Sequence, residues 1–204
     1  MSRMSRSTTT DLGVQELSAL AQVRGYWEAL RHGAHVPSRL QVDPRGIEDA
    51  LSQTFILDRI APGHARFRIA GMHLADLMGM DVRGMPLSSI IEPSARAGFA
   101  AGLEQVFAHP ALLSLDLEAE RGIGRPSLSG RMLILPLADE AGLVRMALGC
   151  LVTAGTVGRG PRRFFTAHQS VTALIGECGL RLVAEAGTPL PPRATRGRGH
   201  LRLV

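Results

Sequence analysis

Between residues 113 and 119 every second position is apolar: Leu113, Leu115, Leu117 and Ala119 alternate with Ser114, Asp116 and Glu118. A period of two sends the apolar set to one side of an extended chain, so a half-buried strand with a polar outer face is predicted here. Residues 128–137 and 143–153 follow as two apolar runs of strand length, parted by a turn at 138–142. An earlier pair is built from the β-rich run 54–60, a turn at Ala61-Pro62-Gly63-His64, and residues 65–70, where Arg66 and Arg68 alternate with Phe67 and Ile69. That pair reads as a hairpin.

Helical spacing takes over elsewhere. Leu12, Leu17, Leu20, Val23, Trp27 and Leu30 form one apolar stripe over residues 11–32, with Asp11 as the expected N-cap and Gly33 as the stop. Phe99, Leu103, Val106 and Phe107 mark a second helix that starts at Pro93-Ser94 and ends at His109-Pro110. Residues 35–46 are extended around Pro37 and Pro44, and residues 47–51 can make a short helix. Between hairpin and second helix, residues 67–86 read as a strand broken at Gly71, a short amphipathic helix stopped at Gly79, and a turn at Arg83-Gly84-Met85-Pro86. The order β-β, helices, β-β-β implies an α+β fold: a five-stranded antiparallel sheet with helices on one face and an N-terminal flanking helix.

Charge divides the chain differently. Its net +5 is concentrated at the ends, for residues 159–204 hold eight arginines against Glu177 and Glu185, and Arg3 and Arg6 lie near the start. Four segments are expected: a disordered N-terminus at 1–11, the flanking helix at 12–33, a folded domain at 34–157, and a basic, largely disordered tail at 158–204. Within that tail residues 165–183 can form a weak amphipathic helix, and the Pro- and Arg-rich residues 187–200 should stay disordered. All 23 basic residues are arginine, which reads as compositional bias. The 45% hydrophobic content suffices for a buried core, and no apolar run reaches the roughly 18 residues of a membrane span. No secretory signal follows the basic start, so a cytoplasmic protein is expected. Cys150, inside an apolar run, reads as a buried free thiol, and no Cys/His spacing suggests a metal site.

Catalytic chemistry is poorly provided for. Gly122-Ile123-Gly124 is a hairpin loop with no helix after it to cradle a phosphate. Ser88 and Ser89 have no neighbouring base, and Asp76 and Asp81 bracket a turn. A non-enzymatic protein is expected.

This layout, with the strand, helix and turn of residues 67–86 at its centre, resembles the PAS fold and, more narrowly, the PAS_5 family of small α-proteobacterial proteins. The matching residues are Tyr26-Trp27-Glu28-Ala29-Leu30-Arg31, Val36-Pro37-Ser38-Arg39, Asp43-Pro44, Phe55-Ile56-Leu57, Phe67-Arg68-Ile69-Ala70-Gly71, Leu77-Met78-Gly79 and Arg83-Gly84. Leu133-Ile134-Leu135-Pro136-Leu137 and Leu148-Gly149-Cys150 extend the resemblance toward residue 155.

The resemblance implies a stand-alone sensory or regulatory module that binds a small ligand or a signalling partner and acts in trans. Its pocket would lie between the central helices and the sheet, walled by Phe67, Ile69, Met72, His73, Leu77, Met78, Met85, Phe99 and Leu103. The methionines would suit a small apolar ligand or, equally, a packed core. His73 at the strand-to-helix turn is either a haem or metal ligand or, the plainer choice, a polar helix-start residue. His109 suits a helix C-terminus. The cysteine that light-sensing relatives use for a flavin adduct has no counterpart in Gly71-Met72-His73-Leu74, and the cofactor stays unassigned. PAS proteins often dimerise through a flanking helix, which makes Tyr26, Trp27 and Leu30 interaction candidates for a homodimer; Trp27 can equally cover its own sheet. The alternative function is binding of nucleic acid or an anionic surface by the arginine-rich tail.

Overall fold

In the computed structural model the chain is described over residues 13–33 and 35–174. Expectations for residues 1–12 and 175–204, including the Asp11 cap and the disordered N-terminus, lie outside the described residues; of the basic tail expected at 158–204, only residues 158–174 are described.

Helix α1 (Val14–Leu30) follows Gly13 and buries Ala19, Leu20, Val23 and Trp27 along one stripe. A capping box closes the next turn: the Leu40 amide donates to Ser38 Oγ at 3.3 Å, and the Ser38 amide donates to Gln41 Oε1 at 2.8 Å. Pro44–Gln53 is 3₁₀-helical, capped by the Asp43 carboxylate. It leads into the hairpin β1 (Thr54–Ala61) and β2 (His64–Ala70). Helix α2 (Met72–Met78) stops at Gly79, whose φ of 70° is the left-handed conformation that favours glycine. Helix α3 (Arg96–Ala108) precedes β3 (Ala111–Ala119), β4 (Leu128–Ala138), β5 (Val144–Gly155) and β6 (Phe164–Ala173).

The strands form one sheet in the order β2-β1-β5-β4-β3-β6, with every neighbouring pair antiparallel. The sheet thus has six strands where the sequence pattern implied five. The sixth replaces part of the helix expected over residues 165–183. Phe164–Ala173 pairs along the outer edge of β3, and the Phe164 ring enters the core. Its lead-in is fixed from within. Arg162 is fully buried and donates to the carbonyls of Val157, Glu120 (3.0 Å) and Pro126 (2.8 Å), while its own amide donates to the Leu77 carbonyl at 2.9 Å.

Both faces of the sheet are covered. On one, α2 and α3 close over Phe55, Leu57, Phe67, Leu115 and Ile134. On the other, α1 and the Pro44–Gln53 turns close over Ile56, Leu135, Leu137, Leu148 and Cys150. Double coverage explains why Met132 to Ala138 is buried at every position, where a one-sided sheet would alternate. Register in the middle is held by shape. Gly149 pairs with Phe55, and a Cβ on Gly149 would sit 2.1 Å from the Phe55 ring. Cys150 is a free, buried thiol, as its apolar setting implied, and burial pushes its pKa up to about 12.

Candidate functional site

Phe67, Leu77, Met78, Phe99 and Leu103 come together, but as one continuous core beneath α2 and α3, with Met85 packed against its margin. Ile69 and Met72 do not join them; they are 46% and 73% exposed. For Ile69 the cause is a β-bulge. Ile56 pairs with Ile69 and Leu57 with Phe67, which leaves Arg68 as the extra residue between them. One extra residue turns every later side chain to the other face. Ile69 therefore lines a small apolar cleft of about 180 Å³ on the α1 side, with Ile47, Leu51 and Leu148.

His73 is carried to that same far side. Gly71 lies so close to the Leu51 and Ser52 carbonyls that a Cβ there would sit 2.4 and 2.3 Å away, and α2 begins from this point. His73 Nε2 lies 3.0 Å from Thr153 Oγ1 on β5. Both line a cleft of about 680 Å³ between α1 and the sheet, a volume within the range of small-molecule sites. Helix α1 contributes Gln15, Glu16, Ser18, Ala19 and Gln22; the opposite wall adds Asp49, Gln53 and Val152. Sequence reasoning missed this cleft, although His73 was singled out.

Burial lowers the His73 pKa from its ordinary 6.5, partly opposed by the Asp76 carboxylate. The folded state then binds this proton less readily than the unfolded chain, so acidification through about 6.5 favours unfolding. We expect the urea midpoint to fall more between neutral pH and mildly acidic pH in the wild type than in His73→Gln. Parallel curves for the two proteins would count against the depressed pKa.

The interaction candidates on α1 serve the fold. Trp27 is fully buried, and its Nε1 donates to the Pro136 carbonyl at 2.8 Å. The Tyr26 hydroxyl accepts from the Asp43 amide at 2.6 Å, and Leu30 packs at the edge of the same core. On the sheet, Arg66 and Arg68 lie 3.7 and 3.6 Å from Asp58, and Arg131 lies 2.7 Å from Asp116. An anion-binding patch from these arginines would have to displace their carboxylates. Arg162, counted with the basic tail, spends its guanidinium on backbone carbonyls.

Comparison with known proteins adds the family. No curated protein matches the chain. Similar solved structures include the light-state structure of the blue-light photoreceptor Aureochrome1 LOV, at 15% identity and a TM-score of 0.39, over 54% of this chain and 88% of that one. Another is a sensory box histidine kinase/response regulator from Burkholderia thailandensis E264, at 16% identity and a TM-score of 0.34, over 55% and 85%. The family model PAS_5, described as a PAS domain, matches residues 15–152, more than half of the chain. That match takes in α1 and the sheet from β1 through most of β5, and on it the chain belongs to the PAS domain family.

Proposed function

We propose that this PAS domain is a non-enzymatic regulatory module acting in trans, in which a small ligand held between α1 and the sheet sets how α1 is seated for a signalling partner. One observation carries the reading: the walls of the cleft are divided between α1 and the body of the domain. Whatever occupies it touches the helix directly. Trp27 anchors the second half of α1 to β4, so the first half works as a lever about that anchor. Beneath α2 and α3, where the resemblance left an apolar ligand or a packed core open, Phe67, Leu77, Met78, Phe99 and Leu103 belong to one buried cluster.

A wedge tests the lever. Ser18 lies on α1 at the cleft, and Ser18→Phe places a ring where a ligand would sit. Amide hydrogen exchange should become faster across residues 14–22 and stay unchanged across residues 23–30. A folded Ser18→Phe protein with wild-type exchange in both halves would refute the lever.

A further inference from the structure

We propose that β6 is a docking edge for a second copy of this chain, the two β6 strands pairing antiparallel so that the two sheets run on as one. The two edges of the sheet are built differently. At one end β2 carries Arg66 and Arg68, both exposed. Its outer side is also occupied: the Phe67 amide donates to the Met85 carbonyl at 3.0 Å, and the Gly84 amide donates to the Phe67 carbonyl at 2.7 Å. Charge and cover are two usual ways to keep an edge from recruiting another strand. At the other end β6 lacks both over most of its length. Its residues, from Phe164 to Ala173, include no Asp, Glu, Lys, Arg or Pro. The Phe164 carbonyl accepts from the Glu92 amide at 2.9 Å. A bulge at Ala167 follows, since Leu117 pairs with Thr166 and Asp116 with His168. From His168 to Ala173 the pairing with β3 is regular, and among the described residues no backbone hydrogen bond reaches this stretch from its outer side. Alternate amides and carbonyls there face outward, open to another strand.

The strand suits its own copy. A two-fold pairing brings the same residues together from both sides, so a charged strand would meet its own like charges. This one brings none. With the two-fold axis at Ser170, Gln169 of one copy lies opposite Val171 of the other. Both side chains are on the α3 face, because Gln169 pairs with Leu115 and Val171 with Leu113, which belong to the core on that face. There a cleft of about 390 Å³ opens between the start of α3 and β6, lined by Ser94, Gly98, Phe99, Thr166 and Gln169. Val171 is 41% exposed in the single copy. The pairing sets it beside Gln169 at that cleft, so the exposed valine of each copy meets the open cleft of the other. The α1 residues that a homodimer was expected to use are engaged inside their own domain.

Sedimentation velocity on the intact chain tests the pairing. At about 100 μM, a concentration that reveals even a weak complex, the wild type should run as a dimer. Ser170 is exposed, so a charge there leaves the core alone and meets its own copy at the axis. Ser170→Lys and Ser170→Glu should each weaken the dimer about tenfold or more. An equimolar mixture of the two variants should dimerise again, since lysine then faces glutamate; a folding defect would not be repaired by mixing. In the wild type, amide exchange across residues 169–173 should slow as concentration rises, while exchange across α1 stays constant. A wild type that is monomeric at this concentration overturns the proposal. So does a dimer that survives in both variants, which places the interface elsewhere, or a mixture that stays monomeric. Slow exchange of residues 169–173 at every concentration would mean that the protein's own chain covers the edge, and the second copy is then ruled out.

Discussion

Trp27→Ala should destabilise the protein by about 3–5 kcal/mol, in the range of large aromatic truncations in a packed core. Trp27 is fully buried in the cluster that also holds Val23, Leu135, Leu137 and Leu148, so its truncation removes a large side chain from that core. A hydrogen bond is lost as well. Pro136 is unusual inside a sheet because it has no amide proton to donate. It is tolerated because the β3 ladder extends along β4 only to the pair Leu113 and Ile134, and the Pro136 carbonyl takes the Trp27 indole instead. The Arg31 guanidinium, 5.2 Å from the ring centroid, loses its aromatic surface too. Urea unfolding followed by far-ultraviolet circular dichroism measures the change. Trp27→Phe separates the two contributions, since it retains most of the ring and gives up only a hydrogen bond of about 1 kcal/mol. A Trp27→Ala protein within about 1 kcal/mol of wild type, the ordinary reach of a surface substitution, would show that α1 is not anchored here.

Arg162→Met carries the second large effect. The substitution keeps the aliphatic length and removes three charge-assisted hydrogen bonds to the carbonyls of Val157, Glu120 and Pro126. At about 1.5 kcal/mol for each, the loss is roughly 4.5 kcal/mol. The damage should be local before it is global. Arg162 joins the strand-to-strand loop after β3 to the segment entering β6, so β6 should exchange its amide protons long before the rest of the sheet. Hydrogen exchange in Arg162→Met checks this. Equal protection of β6 and β3 in the variant would mean that β6 is held by its edge pairing alone.

Strands β3, β4 and β5 were legible because alternation and apolar runs are local signals. The break at Gly71 was legible for the same reason: strand periodicity ends there and helical periodicity begins. β6 was not. Thr166-Ala167-His168-Gln169-Ser170 carries no apolar alternation, because this strand lies at an edge where both faces are largely exposed. Its place comes from pairing with β3 and from Arg162, neither of which leaves a mark in the strand itself. The orientation of His73 and Ile69 was hidden in a similar way. A single bulge residue, Arg68, and the close approach of Gly71 to Leu51 and Ser52 decide which side of the sheet they reach. The cleft was out of reach altogether, since its walls come from α1, the Pro44–Gln53 turns, α2 and β5.

The adjacency of β1 and β5 has a consequence for how the molecule comes into being. Thr54 lies opposite Cys150, so the strand made early waits for one made near the end of the domain. Pairings this distant in sequence slow folding, because the entropy of loop closure is lost before the contact repays it. During synthesis α1 has no sheet to lie on until β5 has emerged and docked, since Leu148 and Cys150 belong to the surface that α1 covers. The cleft between α1 and the sheet would therefore be among the last parts of the protein to exist, and a ligand bound there would stabilise only the completed chain.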